Sequence, residues 1–117
     1  GADAIVVSNH GGRVMDHMPG TAEVLPGIAN AVGGRVKVLV DGGIREGIDI
    51  LKMLALGADA VMIGRPVCIA AFGAGQEGVS FYLQEKLNEL KKAMILTGCG
   101  SIGRIDPSII FRKKGDR

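Results

Sequence analysis

Aromatic residues are scarce in this chain of 117 residues: three phenylalanines, one tyrosine and no tryptophan. Any core must therefore be built from Val, Ile, Leu, Met and Ala. Cysteine is limited to Cys68 and Cys99, which lack metal-ligand spacing. Both are expected to be buried or inert thiols in a reducing compartment, with no bound metal. No apolar run approaches the ~20 residues needed to cross a bilayer. Excess charge of one sign is missing too, with 14 basic against 12 acidic residues and a formal net charge of +2. That balance gives no electrostatic case for nucleic acid or a membrane surface. The opening "GADAIVVSNH" lacks the charged start and cleavage site of a signal peptide. A cytoplasmic chain without nucleic-acid partner or membrane-spanning segment is expected. The closing "FRKKGDR" reads as a solvated run, so residues 1–105 form one unit and 106–117 a C-terminal tail.

Glycine, by contrast, is abundant, at 19 residues. The glycines sit in pairs at the ends of apolar segments, where turns and close backbone approach are expected. "GADAIVVSNH" at Gly1 and "GADAVMIGRP" at Gly57 begin alike, and "VKVLVDGG" lies between them. Each contains an unbroken apolar run too short for a helix, which predicts parallel strands covered on both faces. Thr21 can cap a helix over "AEVLPGIANAV", with Glu23 in its first turn, Gly33 and Gly34 as its stop, and a bend or late start at Pro26–Gly27. "EGIDILKMLALG" puts Ile48, Leu51 and Leu54 or Ala55 on one stripe. Pro66 is suited to a first helical position. A longer helix, Glu77 to Thr97, is expected to bury Val79, Leu83, Leu87, Leu90 and Met94 and to wet Glu85, Lys86, Glu89 and Lys92.

Strand–helix alternation predicts an α/β fold with right-handed crossovers. Each predicted strand runs into a polar, glycine-rich loop: "SNHGGR", "DGGIR" and "GRP". Such loops at the carboxyl ends of consecutive strands form the active face of a (β/α)8 barrel, which needs about 250 residues. The expectation is the C-terminal part of a TIM barrel, about strands 6–8 with their helices, and hence a fragment of a larger enzyme.

The loops carry the chemistry. Gly42 and Gly43 let backbone N–H groups approach an anion, and Arg45 adds a charged fork. Gly64 and Arg65 do the same before a short helix. Barrel enzymes often bind phosphate in the loops after strands 7 and 8. Asp41 can accept from a cofactor hydroxyl or orient its own turn. In "SNHGGR", His10 can take and return a proton near neutrality, and Arg13 can hold a carboxylate bidentately. Ser8 and Asn9 add polar groups at the strand end. His17 reads as a surface residue.

These residues resemble the FMN-dependent 2-hydroxy-acid dehydrogenase and oxidase family, which includes glycolate oxidase and lactate oxidase. "SNHGGR" with "MDHMPGT" is similar to its signature, "VLVDGGIREGIDILKMLALGADAVMIGRPV" to its phosphate segment, and "ILTGCGSIGRI" to its closing helix and turn. The resemblance implies that a lactate- or glycolate-like 2-hydroxy acid is oxidised to the 2-oxo acid, with FMN as cofactor. It makes His10 the base and Arg13 the clamp on the substrate carboxylate. Ser8, Asp41, Gly42, Gly43, Ile44, Arg45, Gly64 and Arg65 would hold the flavin. It also implies a homo-oligomer in full-length form and an isolated fragment that does not turn over. Val14 and Gly20 depart from the common pattern of Gln and Ala. The alternatives are another phosphate-binding barrel, such as an IMP-dehydrogenase-like or isopentenyl-diphosphate-isomerase-like protein, and a non-catalytic partial barrel that self-associates.

Overall fold

A computed structural model describes residues 1–111. The short apolar runs form three parallel strands, β1 (Ala4–Val7), β2 (Lys37–Val40) and β3 (Ala60–Val61), in the order β1-β2-β3. Register aligns Val6 with Leu39 and Leu39 with Ala60, and Val7 with Val40 and Val40 with Val61. Side chains alternate between the faces of a strand. One face therefore carries Ile5, Val7, Val38, Val40 and Val61, and the other carries Val6, Leu39 and Ala60. The first face packs on helices α1 (Thr21–Val32) and α2 (Gly47–Ala55), around the fully buried Leu25 and Val40 with Met53 of α2. The second is uncovered: Val6 is 50% exposed, and Met62, just beyond β3, is 42% exposed. The expectation of strands covered on both faces is corrected here, because both helices lie on the same side of the sheet.

Gly20, not Thr21, is the N-cap of α1, and the Glu23 carboxylate accepts the Gly20 N–H at 2.6 Å. Thr21 fails as a cap because its buried hydroxyl is used elsewhere. It donates to the Asp41 carbonyl at 2.6 Å, tying the start of α1 to the end of β2. The helix passes through Pro26 without a late start and stops at Gly33, whose φ of 58° suits glycine. At the start of α2, the Asp49 carboxylate accepts the N–H groups of Arg45 and Glu46, both at 3.1 Å. Leu51 and Ala55 of the predicted α2 stripe are buried and Ile48 and Leu54 are half-buried, while Met53, about half a turn away, is buried against the sheet.

The last helix, α3 (Arg65–Leu96), is interrupted at Ala74 and Gly75, where the backbone leaves helical geometry. The two helices expected here are thus both present, although Pro66 is the second rather than the first residue. The buried face of the longer segment is rotated from its predicted position. Leu83 and Leu87 are 45% and 51% exposed, whereas Ala93 is buried and the Lys86 side chain is only 12% exposed. Lys86 pairs with Glu89, whose carboxylate also accepts the Gly47 N–H at 2.7 Å. The cause is a close crossing. A Cβ on Gly47 would run into the main chain of Glu89 and Leu90, so α2 meets α3 at the turn carrying the two charges.

Cys68 is exposed, not buried, and Cys99 is half-buried; both are free thiols. The predicted tail has structure over its first residues. Asp106 caps a short turn by accepting the Ser108 N–H at 2.8 Å, and Ile110 is half-buried. The basic residues of "FRKKGDR" lie outside the described residues. No helix among the described residues is long and apolar enough to cross a membrane.

Candidate functional site

Parallel strands deliver their following loops to one edge of the sheet. Ser8–Arg13 follow β1, Asp41–Arg45 follow β2, and Met62–Arg65 follow β3. These loops converge on a single cleft of about 710 Å³. His10, Arg13, Asp41, Gly42, Gly43, Ile44, Arg45, Gly64 and Arg65 all line it. Ser8 does not; its hydroxyl accepts the His10 N–H at 3.1 Å and so shapes the first loop. Ile44 contributes to the cleft wall, but its side chain is 4% exposed and belongs to the core. His17 is exposed.

The first loop holds an unusual backbone. His10 has φ of 54°, a left-handed conformation that costs a non-glycine residue about 1–3 kcal/mol. Gly11 and Gly12 continue in the same region, with φ of 66° and 71°, and the Gly12 N–H closes the turn on the Asn9 carbonyl at 3.0 Å. Direct contacts fix the loops to one another. A Cβ on Gly11 would lie 3.2 Å from Nη2 of Arg65, so the first and third loops touch. A Cβ on Gly42 would lie 2.9 Å from Oγ1 of Thr21 and 3.7 Å from Oδ1 of Asn9, which leaves no room for a side chain there. Asn9 is anchored in turn by donating to the Pro19 carbonyl at 3.2 Å.

The cleft is rich in unused donors. The main-chain N–H groups of Gly42, Gly43, Gly64 and Arg65 find no partner among the described residues, although that of Arg45 is taken by Asp49. The ion pairs among the described residues, Lys37–Asp59 and Lys86–Glu89, leave the guanidinium groups of Arg13, Arg45 and Arg65 unpaired. Against these three cations the cleft sets one carboxylate, Asp41, whose Oδ1 is buried without a hydrogen-bond partner. An unpaired buried oxygen of this kind costs about 1–3 kcal/mol, and more when charged. The surroundings thus favour a ligand offering both an anion and a hydroxyl donor. No group of three or more His, Cys, Asp or Glu among the described residues could hold a metal ion.

Three residues at the cleft escaped the sequence reading in whole or part. Thr21 ties α1 to the loop after β2 instead of capping the helix, and Asn9 is bonded to Pro19. Tyr82, which also lines the cleft, belongs to none of the three loop motifs. A sole tyrosine between two expected core positions of an otherwise aliphatic helix was the available signal.

The family model for FMN-dependent dehydrogenases matches residues 1–112. The chain is 48% identical over 114 residues to an L-lactate dehydrogenase of Ectopseudomonas mendocina (strain ymp), covering 97% of this chain and 30% of the relative. It is 52% identical over 111 residues to a 2-hydroxyacid oxidase of Dictyostelium discoideum, covering 95% and 29%. Among solved structures, mandelate oxidase with (S)-2-phenylpropionate superposes with a TM-score of 0.87 at 51% identity, over 92% of this chain and 32% of that one. The chain therefore spans about 30% of the length of the curated relatives it matches.

Proposed function

The chain belongs to the FMN-dependent dehydrogenase family, and from that premise we propose that it forms the phosphate-holding and proton-transferring wall of an enzyme that oxidises a 2-hydroxy acid to the 2-oxo acid. In this reading its three βα units are the C-terminal part of a TIM barrel, about strands 6–8. The observation that carries the proposal is the convergence of His10, Arg13, Asp41, Arg45 and Arg65 on one cleft.

The cleft fits FMN by the chemistry of its own groups. A phosphate accepts what Arg45, Arg65 and the free N–H groups of Gly42, Gly43 and Gly64 donate. A ribityl hydroxyl is the donor that the buried Asp41 oxygen lacks. When bound, FMN supplies the two-electron acceptor that side chains cannot provide.

The remaining work falls to the chain. Arg13 holds the substrate carboxylate in a bidentate fork, which fixes the adjacent carbon and its hydroxyl against the histidine. His10 takes a proton from the substrate on an imidazole nitrogen and returns it to water after product leaves. Its left-handed backbone is the device that presents the ring from a tight glycine turn. Ser8 supports that turn through the His10 N–H.

A chimera tests this reading: residues 1–111 replace the matching segment of the E. mendocina L-lactate dehydrogenase. The chimera is expected to bind FMN and oxidise a 2-hydroxy acid. His10→Asn in that background should retain flavin and lose at least about a hundredfold in kcat, while Arg13→Lys should raise KM and lower kcat. A His10→Asn chimera with undiminished turnover removes the assignment of the base.

A further inference from the structure

We infer that Tyr82 is an additional ligand of the flavin phosphate, its phenolic hydroxyl donating a hydrogen bond beside the two arginines. The inference rests on the proposed function, since it assigns a residue to the same cleft. It begins with the path of α3. In a straight helix eight residues span about 12 Å, yet a Cβ on Gly78 would fall onto the carbonyl of Ala70. The break at Ala74 and Gly75 therefore turns the chain back, bringing Gly78 against Ala70. One helical turn beyond Gly78 comes position 82, and one turn before Ala70 comes position 66. The fold-back thus sets Tyr82 near Pro66, in the first turn of the helix that closes the cleft. Pro66, Ile69 and Tyr82 accordingly all line it.

Two side-chain polar atoms among the described residues are buried without a hydrogen-bond partner: Oδ1 of Asp41 and the hydroxyl of Tyr82. Both residues line this one cleft. Their needs are complementary. The carboxylate oxygen accepts only, whereas the phenol can donate to an acceptor that neither the arginines nor the N–H groups supply. A sugar-alcohol phosphate offers a hydroxyl to the first and an anionic oxygen to the second. The ring is also held in place, with Nζ of Lys86 lying 5.3 Å from its centroid and Lys86 fixed in turn by Glu89. Proline at 66 has no N–H, so this turn lacks one of the donors a helix start ordinarily offers to an anion. The Tyr82 hydroxyl makes good that loss.

The test compares FMN with riboflavin, which lacks the phosphate, on the 117-residue chain. Tyr82 is the only tyrosine and there is no tryptophan, so intrinsic fluorescence reports on this side chain alone. FMN should perturb that emission on binding and should bind more tightly than riboflavin. Tyr82→Phe should weaken FMN about tenfold, as expected for a hydrogen bond to a charged acceptor, and leave riboflavin affinity unchanged. The ligand-free Tyr82→Phe chain should unfold at the same or a higher temperature, since it sheds a buried hydroxyl that has no partner in the fold. Destabilisation of the ligand-free chain would instead mean a structural hydrogen bond and overturns the inference. Unchanged FMN affinity in Tyr82→Phe, with affinity lost in Arg65→Ala, overturns the tyrosine assignment alone. Equal affinities for FMN and riboflavin, insensitive to Arg65→Ala, or no binding of either, overturn both the inference and the phosphate cleft beneath it.

Discussion

Thr21 shows how a single side chain sets the geometry of the cleft. Its hydroxyl donates to the main-chain carbonyl of Asp41, and it packs where any side chain on Gly42 would have to go. The loop after β2 is thereby held against the start of α1, with the Asp41 carboxylate turned to a buried position. Thr21→Val keeps the shape and removes the donor, leaving a part-buried carbonyl unpaired. The expected loss is about 1–3 kcal/mol of unfolding free energy, measured by urea denaturation, with FMN affinity falling as the loop loosens. A variant as stable as the parent would show that another donor replaces the hydroxyl. The sequence made the residue types of the cleft legible, because "SNHGGR", "DGGIR" and "GRP" announce anion chemistry without any structure. It could not reveal Thr21 in this role. A threonine before a helical stretch is ordinarily a cap, and the competing acceptor lies 20 residues further along the chain.

At the scale of elements, the α2–α3 crossing is where the two helices depend on each other. Gly47 admits the α3 backbone, and Glu89 of that backbone caps the first turn of α2 while pairing with Lys86. The Lys86 ammonium and the Gly47 N–H hold the Glu89 carboxyl below the ordinary glutamate range, and Glu89 raises Lys86 above the ordinary lysine value. A lowered carboxyl contributes stability that is fully present above the unfolded-state value and is lost as pH falls through the folded-state value. Lys86 stays protonated throughout that range; its own contribution is lost only in alkali, as pH rises through its raised value. Glu89→Gln keeps the oxygen that accepts from Gly47 but removes the charge. The variant should therefore be less stable than the parent at neutral pH, and the gap should close as pH drops below about 4. Urea midpoints at successive pH values check this, and a gap independent of pH would exclude the ion pair as its source. The sequence pattern predicts a helix opening at Pro66 and a longer one over Glu77–Thr97, and both are present, on either side of the break at Ala74 and Gly75. The buried face of the longer one is turned from the predicted stripe. Leucines at 83 and 87 outweighed the charges in the pattern, whereas close approach at Gly47 brought Lys86 and Glu89 inward.

The whole molecule exposes 8357 Å², where a monomer of 12.1 kDa ordinarily exposes about 6,000 Å². Its radius of gyration is 15.0 Å, against about 13 Å for a compact domain of this length. Part of the exposed apolar area lies on α3, at Ile69, Phe72, Phe81, Ile95 and Leu96, and part lies on the sheet. Val6 and Met62 stand open on the face of the sheet away from α1 and α2, and β1 and β3 have no further strand beside them among the described residues. Unbroken apolar strands are built for burial on both faces. The apolar runs predict cover on both faces, and the described residues supply it on one face only, because α1 and α2 lie on the same side of the sheet. Closure of a barrel would place Val6, Leu39 and Met62 in its packed interior and abolish both sheet edges. The relatives, of which this chain spans about 30%, carry enough further length to do so. The chain, co-expressed with the E. mendocina L-lactate dehydrogenase lacking its matched segment, should co-elute with it as a flavin-binding complex. Val6→Lys, which sets a charge on the open face and touches nothing in the cleft, should abolish co-elution while leaving the isolated chain folded by circular dichroism. If the parent and Val6→Lys chains both elute alone, the open face is not the inner wall of a barrel. If both co-elute, the pieces join through the sheet edges or the exposed side of α3, and the role of Val6 falls.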